Sequence, residues 1–465
     1  MRPGDSRTLG IHLLRGRWTA VGFGLFLLTL IVRLVPAWEL RNPVHDIPTY
    51  IEMSDVILRG DNIYARETFF PYTPFSQFIP AWIALLTGAV HWRFDFASKL
   101  PPILADAATT LLIFGYLRQR GLPLGPATGW SLAWALNPVS ILVSAFQGNL
   151  IATVPFFTLG AYVAAEAAER SPNRDLLVAM SALLLGIGIA MRGYPVLLVP
   201  AFLVFCTRTL REALAFTILG ALATVSSSLP YLILARQSYL RELLTYNGNT
   251  DFGWLSIIRS IPLVLHGGPA VGPFASWIVD ASKPLFLLGY AAAALTFPYF
   301  RRESFGRALI LGFVLFYALF TGLNAQYLVW VVSPGILLRE RLALVYSAAA
   351  TAALLSFYAI YHPAVLFGRF PAFIQESQTV GALYAAGNTL FVLVCLAWIV
   401  HILAGELRAY RAGNWWTSVV WVRGLRALWS SPWYSGALLV LVCAWFWQLA
   451  RTAADTERVL GNVLR

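Results

Sequence analysis

An aspartate stands about ten residues past the first long apolar run, in the stretch P-V-H-D-I-P-T-Y from Pro43 to Tyr50. A carboxylate held just above a bilayer can serve as a general base toward a hydroxyl group; the plainer reading of Asp46 is a solvated loop acid. Asp46, Glu52, Asp55 and Asp61 fall within twenty residues of one another, although only 12% of the chain is charged. Asp106 lies inside the apolar stretch K-L-P-P-I-L-A-D-A-A-T-T-L-L. A carboxylate at that depth is costly unless paired, so it marks either a site or the structural partner of an arginine. Arg33 and Arg192 are its candidate partners. Arg192, in M-R-G-Y-P at the end of an apolar run, can instead grip a phosphate through its guanidinium fork. Arg33, near the end of the first run, can snorkel to the interface. Gln147 and Asn149 at one turn, and Gln326 and Tyr327 at the head of another run, suit hydrogen bonding to hydroxyl or phosphate oxygens. The six histidines form no H-x-x-x-H pair or cluster, so no metal cage is expected.

The elements that must hold these residues are apolar helices. The chain has 465 residues, of which 58% are apolar, and a mean hydropathy of +0.67. With so little charge and apolar runs near twenty residues long, an all-α polytopic membrane protein is expected, one transmembrane domain over 1–465. Thirteen spans are expected: 18–37, 100–117, 126–146, 150–168, 176–191, 194–208, 212–235, 281–300, 308–323, 326–338, 342–361, 380–404 and 433–450. Residues 78–90 form a run too short to cross and suit a re-entrant or interfacial segment. With 78–90 left on the outer face, every inner loop receives at least two arginines, as the positive-inside rule requires. The same choice retains the first helix, with the N-terminus inside and the C-terminal tail outside. It gathers 38–99 and 236–280 as long outer loops, and makes 406–431, basic and rich in tryptophan, an amphipathic inner segment. The net charge of +12 is then a signature of membrane orientation, with no nucleic-acid partner implied. Cys206, Cys395 and Cys443 all lie in apolar runs and read as small buried hydrophobes.

The motifs in order carry a resemblance. D-I-P-T-Y is followed by L-R-G-x-x-x-Y-x-R-x-T-x-x-x-Y-T-P, ending at Pro74, and then by Asp106 in L-A-D-A-A-T-T-L-L. Next come Asn137-Pro138 with Gly148-Asn149, then Met191-Arg192-Gly193-Tyr194-Pro195, then Gln326-Tyr327 with Trp330. The series resembles the GT-C superfamily of polyprenyl-phosphate-sugar-dependent glycosyltransferases, above all the bacterial polyprenol-phosphate-mannose mannosyltransferases and the catalytic subunit of the first GPI mannosyltransferase. Where the GPI enzyme has two acids in D-x-D, this chain keeps Asp46 alone, preceded by His45.

The resemblance implies a GT-C-like fold whose first outer loop bears juxtamembrane helices. It implies a sugar, with mannose the first expectation, moved from a polyprenyl-phosphate donor to a glycan or glycolipid acceptor with inversion and without a metal cofactor. Asp46 would be the base. Arg192, Tyr194, Gln326, Tyr327, Asn149, Arg66 and Tyr72 would bind the donor. Asp106, His45 and Tyr50 would support the site. His45 also competes with Asp46, because an imidazole can take a proton near neutral pH. The expected location is a bacterial plasma membrane, with the site facing outward. A lipid or sugar transporter and a GT-C-like scaffold without activity are the alternatives. The first would place its polar residues at the midplane, whereas here they gather at one end.

Overall fold

The structure, a computed structural model, describes residues 5–40, 46–64, 73–90, 93–245, 252–258, 273–361 and 378–412. These residues are helical, with no extended strand among them. In chain order the helices are α1 (Asp5–Glu39), α2 (Asp46–Leu58), α3 (Pro74–Val90), α4 (Phe94–Ala97), α5 (Leu100–Gln119), α6 (Leu124–Ala135), α7 (Pro138–Ile141), α8 (Val154–Ala168) and α9 (Arg174–Met191). They continue as α10 (Val199–Cys206), α11 (Leu210–Leu234), α12 (Arg236–Thr245), α13 (Pro273–Thr296), α14 (Phe305–Leu319), α15 (Val332–Leu337), α16 (Arg341–Tyr361) and α17 (Gln378–Arg411).

Nine helical stretches among the described residues are long and apolar enough to cross a membrane, which makes this an integral membrane protein. The expected thirteen comprise these nine, three shorter helices, and 433–450, which lies outside the described residues. The three shorter ones have a common physical cause: they are buried in protein or broken. The 194–208 run is a 3₁₀ turn (Tyr194–Leu198) leading into α10, and the 326–338 run is a 3₁₀ turn (Ala325–Val329) leading into α15. Helix α14 is buried along its whole length from Ala308 to Ala318 and forms the centre of the bundle. Helix α3 is longer than the 78–90 run because it begins at Pro74. The 38–99 segment holds α2, α3 and α4. Of 236–280, α12, residues 252–258 and the start of α13 are described. Residues 406–411 prolong α17, and the rest of 406–431 lies outside the described residues.

Helix α11 shows why the outer layer needs lipid. Leu210, Leu214, Ile218, Leu222, Val225, Leu229 and Ile233 are all exposed along it. Such a stripe would promote aggregation in water and is unremarked in hydrocarbon. Its start is fixed by an N-cap: the Thr209 side chain accepts from the Glu212 N–H. Its opposite face is pressed against α9 at a glycine pair. A Cβ on Gly186 would sit 2.1 Å from the Gly220 carbonyl oxygen, so the two backbones approach as only glycine permits.

Among the described residues, arginines of the expected inner loops share one end of the bundle, where several pair across loops. Arg174 pairs with Glu212 at 2.9 Å, Arg208 with Glu169 at 2.9 Å, Arg307 with Glu340 at 2.8 Å and Arg301 with Glu406 at 3.2 Å. Arg302 also reaches Glu169, and Arg120 reaches Glu166. Among the described residues, the polar motifs around Asp46, Asn149, Arg192 and Tyr327 lie at the other end.

Candidate active site

Asp46 is the first residue of α2, and its side chain is turned inward, 8% exposed. Helix α2 buries Asp46, Ile47, Tyr50, Met53 and Ser54, the spacing of one helical face. Asp46 Oδ2 accepts from Gln147 Nε2 at 2.6 Å and from Asn149 Nδ2 at 3.0 Å. Gln147 is itself fixed, because the Tyr358 hydroxyl donates to its Oε1 at 2.7 Å. A chain of hydrogen bonds thus runs from α16 through the Gln147 amide to the carboxylate. Among the described residues both amide donors fall on Oδ2. They fix the plane of the carboxylate and leave Oδ1 as the face able to take a proton.

The turn that presents these amides is built locally. Residues Leu142–Gln147 form one π-turn, a feature often found at functional sites. Gly148 follows at φ 72°, a left-handed conformation that glycine adopts without strain. A Cβ there would also lie 2.7 Å from Lys99 Cγ. Asn149 then caps the next 3₁₀ turn, Leu150–Thr153, its Oδ1 accepting from Ile151 N at 2.9 Å. One asparagine therefore caps a turn with its oxygen and holds Asp46 with its nitrogen. Tyr50 braces the same turn, its hydroxyl oxygen accepting from Leu150 N at 3.3 Å. Asn137, in the preceding N-P motif, is a cap: its Oδ1 accepts from Val139 N and Ser140 N, and Pro138 occupies the first helical position.

Arg192 ends α9 and is 3% exposed. Its Nε donates to the Tyr327 hydroxyl at 3.0 Å, its Nη2 reaches the same oxygen, and its guanidinium carbon lies 5.1 Å from the centre of the Tyr327 ring. Tyr327 stacks on Trp330 at 4.6 Å and 14°, and Tyr194 packs on Phe316, Tyr327 and Trp330. Gln326 is buried in the same turn. That turn is held by hydroxyls: Tyr317 donates to the Tyr327 carbonyl at 2.6 Å and Tyr346 to the Leu328 carbonyl at 2.8 Å. The Trp330 indole N–H donates to the Ile151 carbonyl at 3.3 Å. This last bond joins the arginine side of the site to the turn that carries Asn149. Thr73, from the Y-T-P motif, donates through its hydroxyl to the Ala190 carbonyl and so ties the start of α3 to the end of α9.

Asp106 has a different place from the one expected of a site acid. Its Oδ2 accepts from Arg33 Nε at 2.7 Å and from the Ser140 hydroxyl at 2.6 Å, and both charged side chains are wholly buried. Arg33 also donates to the Ala135 carbonyl at 2.7 Å and to Ser140 Oγ at 2.8 Å. The snorkelling expected of Arg33 is thus corrected: its head is turned into the protein because a carboxylate, a carbonyl and a hydroxyl satisfy it there. Between the two expected partners of Asp106, the structure selects Arg33. The pair pins α1 to α5 and to the α6–α7 turn.

His45, Arg66 and Tyr72 lie outside the described residues. Two residues that sequence reasoning missed stand at the site. Tyr358 orients Gln147 from the far end of the chain. Lys99 lies wholly buried beneath Gly148 and donates to the Leu40 carbonyl at 3.2 Å. Its signal was there to read: Lys99 and Lys283 are the only lysines in a chain whose other cations are arginines. Among the described residues no three His, Cys, Asp or Glu side chains are grouped to hold a metal ion.

No protein-family model matches the chain. GPI mannosyltransferase 1 of Gibberella zeae is 30% identical over 156 residues, which are 34% of this chain and 33% of that protein. Over that third of its length the chain is mannosyltransferase-like. It spans about a third of the curated relative. The crystal structure of ArnT from Cupriavidus metallidurans bound to undecaprenyl phosphate covers 85% of this chain and 78% of its own, at a TM-score of 0.45 and 15% identity. That is a loose likeness, from which nothing about chemistry follows.

Proposed function

We propose that the chain is a membrane glycosyltransferase that moves a sugar, mannose being the first candidate, from a polyprenyl-phosphate donor to a hydroxyl of a glycan or glycolipid acceptor. The observation that carries this is Asp46, an acid fixed on one oxygen by two amides, at the same end of the bundle as the buried cation Arg192. The mannosyltransferase-like region supports it. In the proposed reaction Asp46 takes the proton of the acceptor hydroxyl as its oxygen bonds to the anomeric carbon. The bond from that carbon to the phosphate oxygen breaks on the opposite face, and its electron pair leaves with polyprenyl phosphate. The configuration inverts. Arg192, with Tyr327 aligning its guanidinium, stabilises the charge that develops on the phosphate, so the step needs no metal. Tyr194, Tyr327, Trp330 and Gln326 would line the donor side, with Arg66 and Tyr72 as further donor contacts and His45 beside the base. The site faces the outer side, opposite the arginine-rich loops.

The test is a donor screen. Full-length protein in vesicles is given a panel of polyprenyl-phosphate sugars and a membrane extract as acceptor source, and free polyprenyl phosphate is measured. Release from one donor supports the proposal. Movement of intact donor across the vesicle wall without release would indicate a transporter instead.

A further inference from the structure

The arginine-rich end carries a polar cavity, of about 440 Å³, lined by Arg301, Arg307, His401, Gly405, Arg408 and Ala409. It is built by the turn between α13 and α14, by the first turn of α14, and by α17, on which His401, Gly405 and Arg408 share a face at helical spacing. No carboxylate lines it. The acids lie behind the cations. Glu406, buried, accepts from Arg301 N at 3.2 Å, from Arg301 Nη2 at 3.2 Å and from the Ser304 hydroxyl at 2.6 Å. Glu340, buried at the opposite wall, accepts from Arg307 Nε at 2.8 Å, and its other oxygen lies 4.0 Å from His401 Nε2. The two carboxylates hold Arg301 and Arg307 from the inner side. Among the described residues, Arg408 Nε donates to a carbonyl of its own helix, Ala404, at 3.2 Å. Arg301 Nε is buried with no hydrogen-bond partner among the described residues.

Two guanidiniums held over buried carboxylates, with Arg408 beside them, form a cationic cup, poised for an anion with several oxygens. We propose that this cavity binds the phosphate of an anionic membrane lipid, at the opposite end of the molecule from Asp46 and independently of its chemistry. The choice of a lipid over a free phosphate rests on what adjoins the cup. Val400, Leu403 and Leu407 of α17 are exposed and form the neighbouring stripe, so an acyl chain can lie along the helix while its phosphate enters the cavity. The loops at this end are the arginine-rich ones, which belong at the anionic inner surface.

Two substitutions separate binding from folding. Gly405→Leu puts a side chain into the cavity, and a Cβ there meets nothing within 4 Å. Arg408→Gln removes one cation and breaks no ion pair of the fold. Full-length protein in a neutral detergent is titrated with short-chain phosphatidylglycerol, with phosphatidylcholine and with inorganic phosphate, and bound lipid is counted by native mass spectrometry. Size-exclusion profiles confirm that the variants stay folded. Phosphatidylglycerol should bind the wild type more tightly than phosphatidylcholine, and each variant should lose about tenfold in affinity for it. Equal binding of the two lipids, or a preference untouched by both substitutions, would overturn the site. Displacement of the lipid by inorganic phosphate at a matching concentration would overturn the choice of a lipid ligand.

Discussion

Asp46 differs from Glu52, Asp55 and Asp61 in being buried. Glu52, Asp55 and Asp61 lie on the outward faces of α2 and the following turn, whereas Asp46 is turned inward against two amides. Arg192 is the corresponding residue on the proposed donor side. Replacing it with alanine removes charge-assisted bonds from a partly dry site, a loss of about 1.5–3 kcal/mol in donor binding. Arg192→Ala should therefore raise donor KM roughly 10- to 100-fold while leaving acceptor KM near the wild-type value. Arg192→Lys should rescue little, because an ammonium cannot keep the stacked and forked geometry on Tyr327. An unchanged donor KM would remove Arg192 from the site. Asp106 is expected to behave otherwise. Asp106→Ala strands the Arg33 charge and should cost about 3–5 kcal/mol of stability. Thermal unfolding in detergent checks this, and Arg33→Met with Asp106→Leu should recover part of the loss. Asp46 and Arg192 were legible as candidates from residue type and position alone. The choice of Arg33 over Arg192 as partner of Asp106 was not, and neither was Tyr358, because those contacts join segments far apart in the sequence and leave no local periodic trace.

Among the elements, the α9–α11 crossing sets where Arg192 stands. Gly186 at that crossing has no room for a Cβ, so Gly186→Ala must push the helices apart, with a penalty of about 1–3 kcal/mol from overpacking. Its melting temperature should fall, and donor KM should rise with it because the end of α9 moves. A variant with unchanged stability would contradict the close backbone approach. The long spans were readable from apolar runs, since lipid imposes length and composition on them. The breaks at 194–198 and 325–329 were only half readable. Their apolar composition resembles a span, and tertiary bonds hold the breaks: hydroxyls of Tyr317 and Tyr346 take up the carbonyls of Tyr327 and Leu328, and the Tyr290 hydroxyl that of Leu197. The π-turn before Gly148 is likewise set by what it must present to Asp46.

For the whole molecule, the arginine-rich end and the site end should lie on opposite sides of the membrane. In a Cys443→Ser background, with the native Cys206 and Cys395 buried, cysteines placed at Asp61 and Arg211, both exposed, report each side. An impermeant reagent applied outside intact cells should label Asp61→Cys and spare Arg211→Cys; labelling of both, or the reverse, would overturn the topology. The arginine-rich end should also give way in acid. Half-burial acts to raise the Glu169 carboxyl, but hydrogen bonds from Arg302 and Arg208 outweigh it and hold the group below its ordinary value. A carboxylate lowered on folding contributes stability above its unfolded pKa, about 4.3, and that contribution is lost as pH falls through the lower folded value. Glu169→Gln should lower stability at neutral pH and flatten the decline toward acid, as read from unfolding at a series of pH values. The central claim is that this molecule transfers a sugar with Asp46 as its base. The direct measurement is single-turnover release of polyprenyl phosphate from a sugar-labelled polyprenyl-phosphate donor, comparing wild type with Asp46→Asn in the same vesicles. The substitution keeps the shape and the capacity to sit between Gln147 and Asn149, but cannot take a proton. Donor should still bind, and release should fall roughly 10²- to 10⁴-fold. Near-normal release by Asp46→Asn, with His45→Ala abolishing it, would contradict the account.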